Sequence, residues 1–417
     1  MAYVKRLVDD ELAELLKTTG FVLIEGPKAV GKTESARQIA KTIVRLDVDE
    51  SSRLLAELAP QTLLQGEAPM LIDEWQLVPG LWANVKVEVD IRNLKGQFIL
   101  TGSSIPQDDV TLDTGAGRVS RLKMRPMTLI ETGKSTGTVS ISALLAGERP
   151  SARDPGLTLG SIVELVCVGG WPTAQGLSSA QAQRAMKSYI TEIAGKDVQR
   201  VSGVKFNKAS VLKVLKSLAR NVGTKASDST IAEDASTQSV RVSRQVTARY
   251  LEALERVMVV ENCPSWTPEL RSRTRVNGTP TRYFIDPALA VAAIGASPNA
   301  LLGTQIKLFG FFFENLVVRD LRSYVQALGG EVKQYRDETG LEVDVILEMP
   351  DNSWAAIEVK LGVNQIDAAA ARLLAFKKKL DLVASGEPAF MAVVTATGPS
   401  YLRKDGVYVA SIGSLCP

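Results

Sequence analysis

The sequence predicts an α/β protein of more than one domain, and three observations carry that expectation. Residues 21–24 read FVLI and run straight into GPKAVGKT, an apolar strand followed by a glycine-rich phosphate-binding loop and a helical stretch. Two further apolar runs, PMLIDEWQ and GQFILTGSS, end in acids and in hydroxyls, as parallel strands do when their carboxyl ends line a site. Far downstream, VDVILEMPDNSWAAIEVKLG reads as two strands and a turn that deliver Asp344 and then Glu358 and Lys360, a second and different α/β signature. At 417 residues the chain is long enough for two or three cores of about 150 residues each.

Composition narrows the chemistry. Hydrophobic residues at 45% and charged residues at 23% are the balance of a folded globular protein. There is no histidine. That excludes Ser-His-Asp and Cys-His catalysis, histidine-bound zinc or haem, and any histidine pH switch. Catalysis must therefore run on carboxylates, lysine, arginine, hydroxyls and bound metal. Lysine plus arginine (49) nearly balance aspartate plus glutamate (46), so any basic surface has to be local. Cys167, Cys263 and Cys416 are odd in number and lack CxxC spacing, which fits a reducing cytoplasmic setting. The amino terminus has no apolar signal core and no run of about 18 apolar residues follows, so neither export nor a membrane anchor is expected.

In chain order, an amphipathic helix (Leu7, Leu12, Leu15, Leu16) precedes the first strand. Gly26, Pro27, Lys28, Ala29, Val30, Gly31, Lys32 and Thr33, with Glu34 just beyond, make up G-x-x-x-x-G-K-T and its margin. Its backbone N–H groups wrap phosphates, Lys32 neutralises the β- and γ-phosphates, and the Thr33 hydroxyl ligates Mg²⁺. ATP with Mg²⁺ is the expected cofactor. Asp73 is expected to hold Mg²⁺ through water and Glu74 to polarise the attacking water, with a solvated Asp-Glu turn as the other reading. Thr101, Ser103 and Ser104 end the third strand where a γ-phosphate sensor sits; a plain polar strand terminus is the equal alternative. GAGRVSRLKMRP carries Arg118, Arg121, Lys123 and Arg125. Arg118 is the choice for an arginine finger given to a neighbouring subunit, against a solvated basic strand, and action in trans requires an oligomer.

Residues 132–160, rich in Gly, Ser, Thr and Pro, read as a connection or mobile insertion. Helical patterns follow, and from about 205 to 285 the order is helix, helix, helix and two wing strands, VMVVENCPSW and TRYFID. In the third helix Val246, Tyr250, Leu254 and Val257 share one face, with Ser243 as N-cap. The opposite face shows Arg244, Gln245, Arg249, Glu252 and Arg256. A winged helix of this kind would place Arg244, Gln245 and Arg249 in a major groove, with Arg271, Arg273, Arg275 and Arg282 on phosphates from the wing. The alternative is a packing module with no DNA contact.

At the carboxyl end, Glu358 and Lys360 share a strand face, so the glutamate with Asp344 suits a divalent metal, Mg²⁺ or Mn²⁺, and the lysine suits a scissile phosphate. A solvated β-ribbon is the other reading. The helix NQIDAAAARLLAFKKKL turns Ile366, Leu373 and Leu374 inward and Lys377, Lys378 and Lys379 outward, where the triplet with Lys377 would touch DNA backbone, a solvated face being the other reading.

The D…ExK hairpin resembles the PD-(D/E)XK nuclease core, and Glu314 matches the helix position from which many such enzymes recruit another metal ligand. The set GPKAVGKT, LIDEWQLVPGLWANVKVEVD, FILTGSS, GAGR and the GGWP at 169–172 resembles a family of prokaryotic AAA-type ATP-binding proteins with a carboxyl-terminal, nuclease-like domain of uncharacterised function. The resemblance covers most of the chain. It departs at Lys28, where the family commonly has arginine, and at Met124 and Met127, where leucines are usual. It implies a P-loop AAA-type core over 1–135, a linker and helical lid over 136–200, a winged helix over 201–295 and a restriction-endonuclease-like domain over 296–417. It also implies that Gly169, Gly170 and Pro172 border the adenine, against a plain interhelical turn. Together these readings predict an ATP-driven, oligomeric DNA-processing protein, as a hexamer or similar ring acting on duplex or branched DNA, whose nuclease-like domain cleaves or only grips. The alternative is a nucleotide-gated protein-interaction ATPase, such as a toxin–antitoxin or defence component.

Overall fold

The apolar run FVLI becomes β1 (Phe21–Glu25), one of five parallel strands ordered β2-β3-β4-β1-β5. The others are β2 (Thr42–Arg45), β3 (Met70–Asp73), β4 (Phe98–Gly102) and β5 (Val119–Lys123). This computed structural model describes residues 3–102, 115–202, 206–236, 241–268 and 279–417. Strands β1, β3 and β4 are buried on both faces, which explains why they read as unbroken apolar runs. Phe21 and Leu23 point into a core with Trp75, Trp82 and Leu100, while Val22 and Ile24 point into another with Leu12, Leu16 and Val30. Because every strand runs the same way, the loop after β1, Asp73 at the end of β3 and Thr101 near the end of β4 come to one sheet edge.

The chain divides into two compact units. The first comprises residues 1–126 with 197–205 and 256–258; the second holds 127–196, 206–255 and 259–417. In the second, a six-stranded mixed sheet is ordered β11-β12-β10-β9-β8-β7. Its strands are β7 (Glu331–Arg336), β8 (Glu342–Glu348), β9 (Trp354–Lys360), β10 (Phe390–Thr395), β11 (Tyr401–Leu402) and β12 (Tyr408–Ser411). Strands β7, β8 and β9 form an antiparallel meander, and β10 and β12 continue parallel to β9. The helix Ile366–Lys379 covers one face through Ile366, Leu373 and Phe376, against Trp354, Met391 and Val393.

Three corrections to the sequence reading arise here. The 132–160 stretch is no loose insertion: β6 (Val139–Ser140) pairs in parallel with β13 (Leu415–Cys416), Ala152 pairs with Ser400, and Arg149 Nη2 donates to the Ala389 carbonyl at 2.7 Å. Such pairing across more than 200 positions leaves no trace in local composition. The wing is two antiparallel bridges, Val260 with Phe284 and Cys263 with Thr281, and then Ser265 pairs with Gln334 on β7 and seats Trp266 in the sheet's core. Arg282 grips no phosphate: it is buried, ion-paired with Asp228 at 2.7 Å and bonded to the Ala226 carbonyl. No helix among the described residues is long and apolar enough to cross a membrane.

Candidate ATP site and second acidic site

The loop after β1 turns through two left-handed residues, Ala29 (φ 58°) and Gly31 (φ 108°), and opens the helix Lys32–Arg37. Only glycine adopts the Gly31 conformation without strain, and the turn aims the helix's first N–H groups at the loop's hollow. Lys32 folds back over that hollow, its Nζ donating to the carbonyls of Gly26 and Pro27 at 2.8 Å each. Burial pushes its ammonium down to about 8 against the pull of Glu74 and Asp73. Arg6, on no motif, is buried and ties the amino terminus to the site through Val30 O (2.9 Å) and Arg125 O (2.8 Å). Lys28 pairs with Asp197 at 2.5 Å, and Glu34 is exposed and pairs with Arg37 at 3.2 Å.

Asp73 is 3% exposed and collects three neighbours. Thr33 Oγ1 donates at 2.8 Å, Thr101 Oγ1 donates from the adjoining position on β4, and Arg45 Nε lies 3.7 Å away. A threonine hydroxyl in contact with a buried carboxylate at a phosphate loop is a donor set that fits Mg²⁺, a hard cation with oxygen ligands. Glu74 takes the left-handed conformation (φ 54°) and accepts a bond from the Gln76 side chain, a strained residue of the kind concentrated at working sites. Ser103 and Ser104 lie outside the described residues.

Arg118 sits at the start of β5, its carbonyl bonded to Phe21 N at the beginning of β1, and its guanidinium pairs with Asp90 at 2.6 Å. The loop follows the opposite end of β1, about 15 Å of strand away. Arg118 therefore does not reach its own protomer's site.

In the second unit, Asp344 on β8 and Glu358 on β9 lie one step beyond the cross-strand pair Val345 and Ile357, so register sets them side by side. Asp344 Oδ2 accepts from Val359 N at 2.8 Å and from Lys360 Nζ at 2.9 Å. Lys360 Nζ also stands 2.7 Å from Glu358 Oε2, with Arg372 at 3.5 Å. Glu358 is fully buried, its Oε2 held by the Lys360 ammonium while no donor meets Oε1. Burial, then the Asp344 charge, raises its carboxyl, with Lys360 opposing. Glu314 sits within electrostatic reach of Asp344, is raised well above the usual carboxylate range by burial, and accepts a bond from the Tyr283 hydroxyl. Two carboxylates thus converge, but no group of three or more acids or cysteines placed to hold a metal occurs among the described residues. Tyr283 and Arg372 are members that no motif announced.

The remaining expected residues are scattered. Gly170 and Pro172 belong to the second unit, where Gly170 N donates to Asp286 at 2.9 Å and Gly170 O accepts from Met127 N at 2.7 Å. Pro172 opens a short 3₁₀ turn. Arg244, Gln245 and Arg249 are exposed on the helix Arg244–Arg256, and Ser243 caps it through Val246 N. Arg271, Arg273 and Arg275 lie outside the described residues. Lys377 does not project freely: it pairs with Glu387 at 2.6 Å, as Lys379 does with Asp337 at 2.5 Å. The acids that hold them come from other segments, so the KKK run could not reveal them.

The parallel sheet, the loop and the acidic strand end define the first unit as an AAA-type ATP-binding domain, and the chain as an ATPase of the P-loop type. Residues 18–133 match the AAA domain family, and residues 160–300 and 309–415 match two domains of unknown function, DUF8612 and DUF4143. The Walker-type ATPase Paby2304 of Pyrococcus abyssi aligns at 14% identity and a TM-score of 0.42, over 68% of this chain and 94% of its own. A DNA replication initiation factor aligns at 15% identity and a TM-score of 0.22, over 60% and 87%. No curated protein matches the chain.

Proposed function

We propose that ATP hydrolysis in the first unit drives an oligomeric DNA-processing protein, a hexamer or similar ring, whose second unit engages duplex or branched DNA. The observation that carries this reading is the pairing, in one chain, of a complete phosphate-loop site with the Asp344, Glu358 and Lys360 cluster. A fully buried carboxylate beside Asp344, with one oxygen left without a donor, suits a divalent cation, and the adjoining lysine suits a phosphodiester. Asp344 and Glu358 would hold Mg²⁺ or Mn²⁺, which would supply charge to activate water. The exposed Arg244, Gln245 and Arg249 give the helix Arg244–Arg256 a polar outer face for a duplex groove.

The test is ATP turnover with and without DNA. DNA-stimulated turnover that Lys32→Ala abolishes supports the motor; slow turnover indifferent to every nucleic acid points instead to a nucleotide-gated interaction module. Incubation of supercoiled, linear and junction DNA with Mg²⁺ or Mn²⁺, beside an Asp344→Ala, Glu358→Ala double variant, separates cutting from gripping. Cleavage confined to the unaltered protein means cutting.

A further inference from the structure

A groove of about 530 Å³ opens beside the Asp344, Glu358 and Lys360 cluster. One wall is the first three turns of the helix Ile306–Gln326, where Ile306, Lys307, Gly310, Phe311 and Glu314 share a face. The other wall is the end of β9 and the turn after it, with Lys360 and Leu361. Phe309, Phe312 and Phe313 on the same helix are fully buried, whereas Phe311 is 37% exposed and lies along the groove. Lys307 is exposed, with no acidic partner among the described residues. A Cβ at Gly310 would touch the Leu361 Cδ1 at 3.7 Å, so a larger side chain there would fill the groove.

A groove lined by an exposed aromatic ring and two lysines, Lys360 already shared with Asp344 and Glu358, matches a nucleotide chain with an unpaired base: the ring stacks any base, and the ammonium groups take phosphates. The volume is that of a small-molecule pocket, which admits a nucleotide or two and not the cross-section of a duplex. We propose that this groove seats an unpaired stretch of DNA, with a base on Phe311 and phosphates on Lys307 and Lys360. The second unit then handles single strands or frayed ends at this site, while the helix Arg244–Arg256 serves duplex. The inference rests on the reading of Asp344, Glu358 and Lys360 as a phosphodiester-engaging site.

Fluorescence anisotropy of the full chain tests it, using a labelled 20-nucleotide single strand and the blunt duplex of the same sequence, with Ca²⁺ present. Phe311→Ala is expected to weaken single-strand binding about tenfold and leave duplex binding unchanged, whereas Phe311→Trp restores it. Gly310→Leu fills the groove and mimics the loss, and Lys307→Gln makes the salt dependence of single-strand binding shallower. Single-strand binding indifferent to Phe311→Ala and Gly310→Leu, or a wild-type protein that binds duplex alone, overturns the groove proposal and leaves the DNA reading standing. Failure of the wild-type protein to bind either DNA overturns both.

Discussion

Lys32 shows how burial sets the working range of a residue. Its folded value of about 8 lies below the ordinary lysine value of 10.5, so the buried charge burdens the folded state below about pH 8, and that burden lifts as pH rises toward 10.5. Phosphates need the charged form. ATP binding is therefore expected to weaken above about pH 8, by up to about tenfold per pH unit, as titration calorimetry between pH 7 and 9.5 would record. An affinity flat across that range would mean that Lys32 does not meet phosphate. Gly169 makes a different demand. At φ 72° a Cβ there would stand 2.6 Å from Asp286 Oδ1 and 2.7 Å from the Ala288 Cβ, so Gly169→Ala is expected to destabilise the second unit by about 2–4 kcal/mol in thermal melts. The GPKAVGKT residues were legible because one loop holds the chemistry. Arg6 and Arg45 were not, since their partners Val30 and Asp73 are 24 and 28 positions away.

At the scale of elements, the helix Ile306–Gln326 is anchored by Arg319, which is buried between Asp286 and Asp320 at 2.8 and 2.7 Å. Asp286 in turn caps the helix Pro287–Ile294 through Ala288 N and receives Gly170 N, and Asp320 receives Leu129 N at 2.9 Å. One arginine thus fastens four segments. Arg319→Ala leaves two buried carboxylates without their countercharge, at an expected loss of about 3–5 kcal/mol in urea unfolding. A loss under 1 kcal/mol would show the trio to be relaxed or hydrated. Periodicity revealed the helix Arg244–Arg256, because Tyr250 and Leu254 recur on its buried face. It could not reveal that Arg282 is structural, since burying an arginine depends on Asp228, a residue of another element.

For the whole molecule, Arg118 lies at the amino edge of its own sheet, paired with Asp90, so if it serves as an arginine finger it can act only on a neighbour. Arg118→Ala should lower turnover about a thousandfold while sparing ATP binding. Mixing it with the Lys32→Ala protein should restore turnover, since one protomer then lends an intact finger to another's intact loop. Light scattering with ATP would report the assembly size. No recovery on mixing, in assemblies shown to contain both variants, would rule out a role in trans.

The sequence by itself determined the chemistry available. Without histidine, both candidate sites have only lysine, carboxylates and hydroxyls to work with, and local motifs named Lys32, Thr33, Asp73, Asp344, Glu358 and Lys360. Tertiary structure decided the company these residues keep. Strand order set Arg45 and Thr101 beside Asp73, long-range pairing bound 132–160 to the carboxyl terminus, and helix placement turned Phe311 outward while its neighbours were buried. A motif is a local run whose spacing survives in one dimension. Burial and ion pairing depend on which distant backbone comes alongside, and register and packing alone fix that.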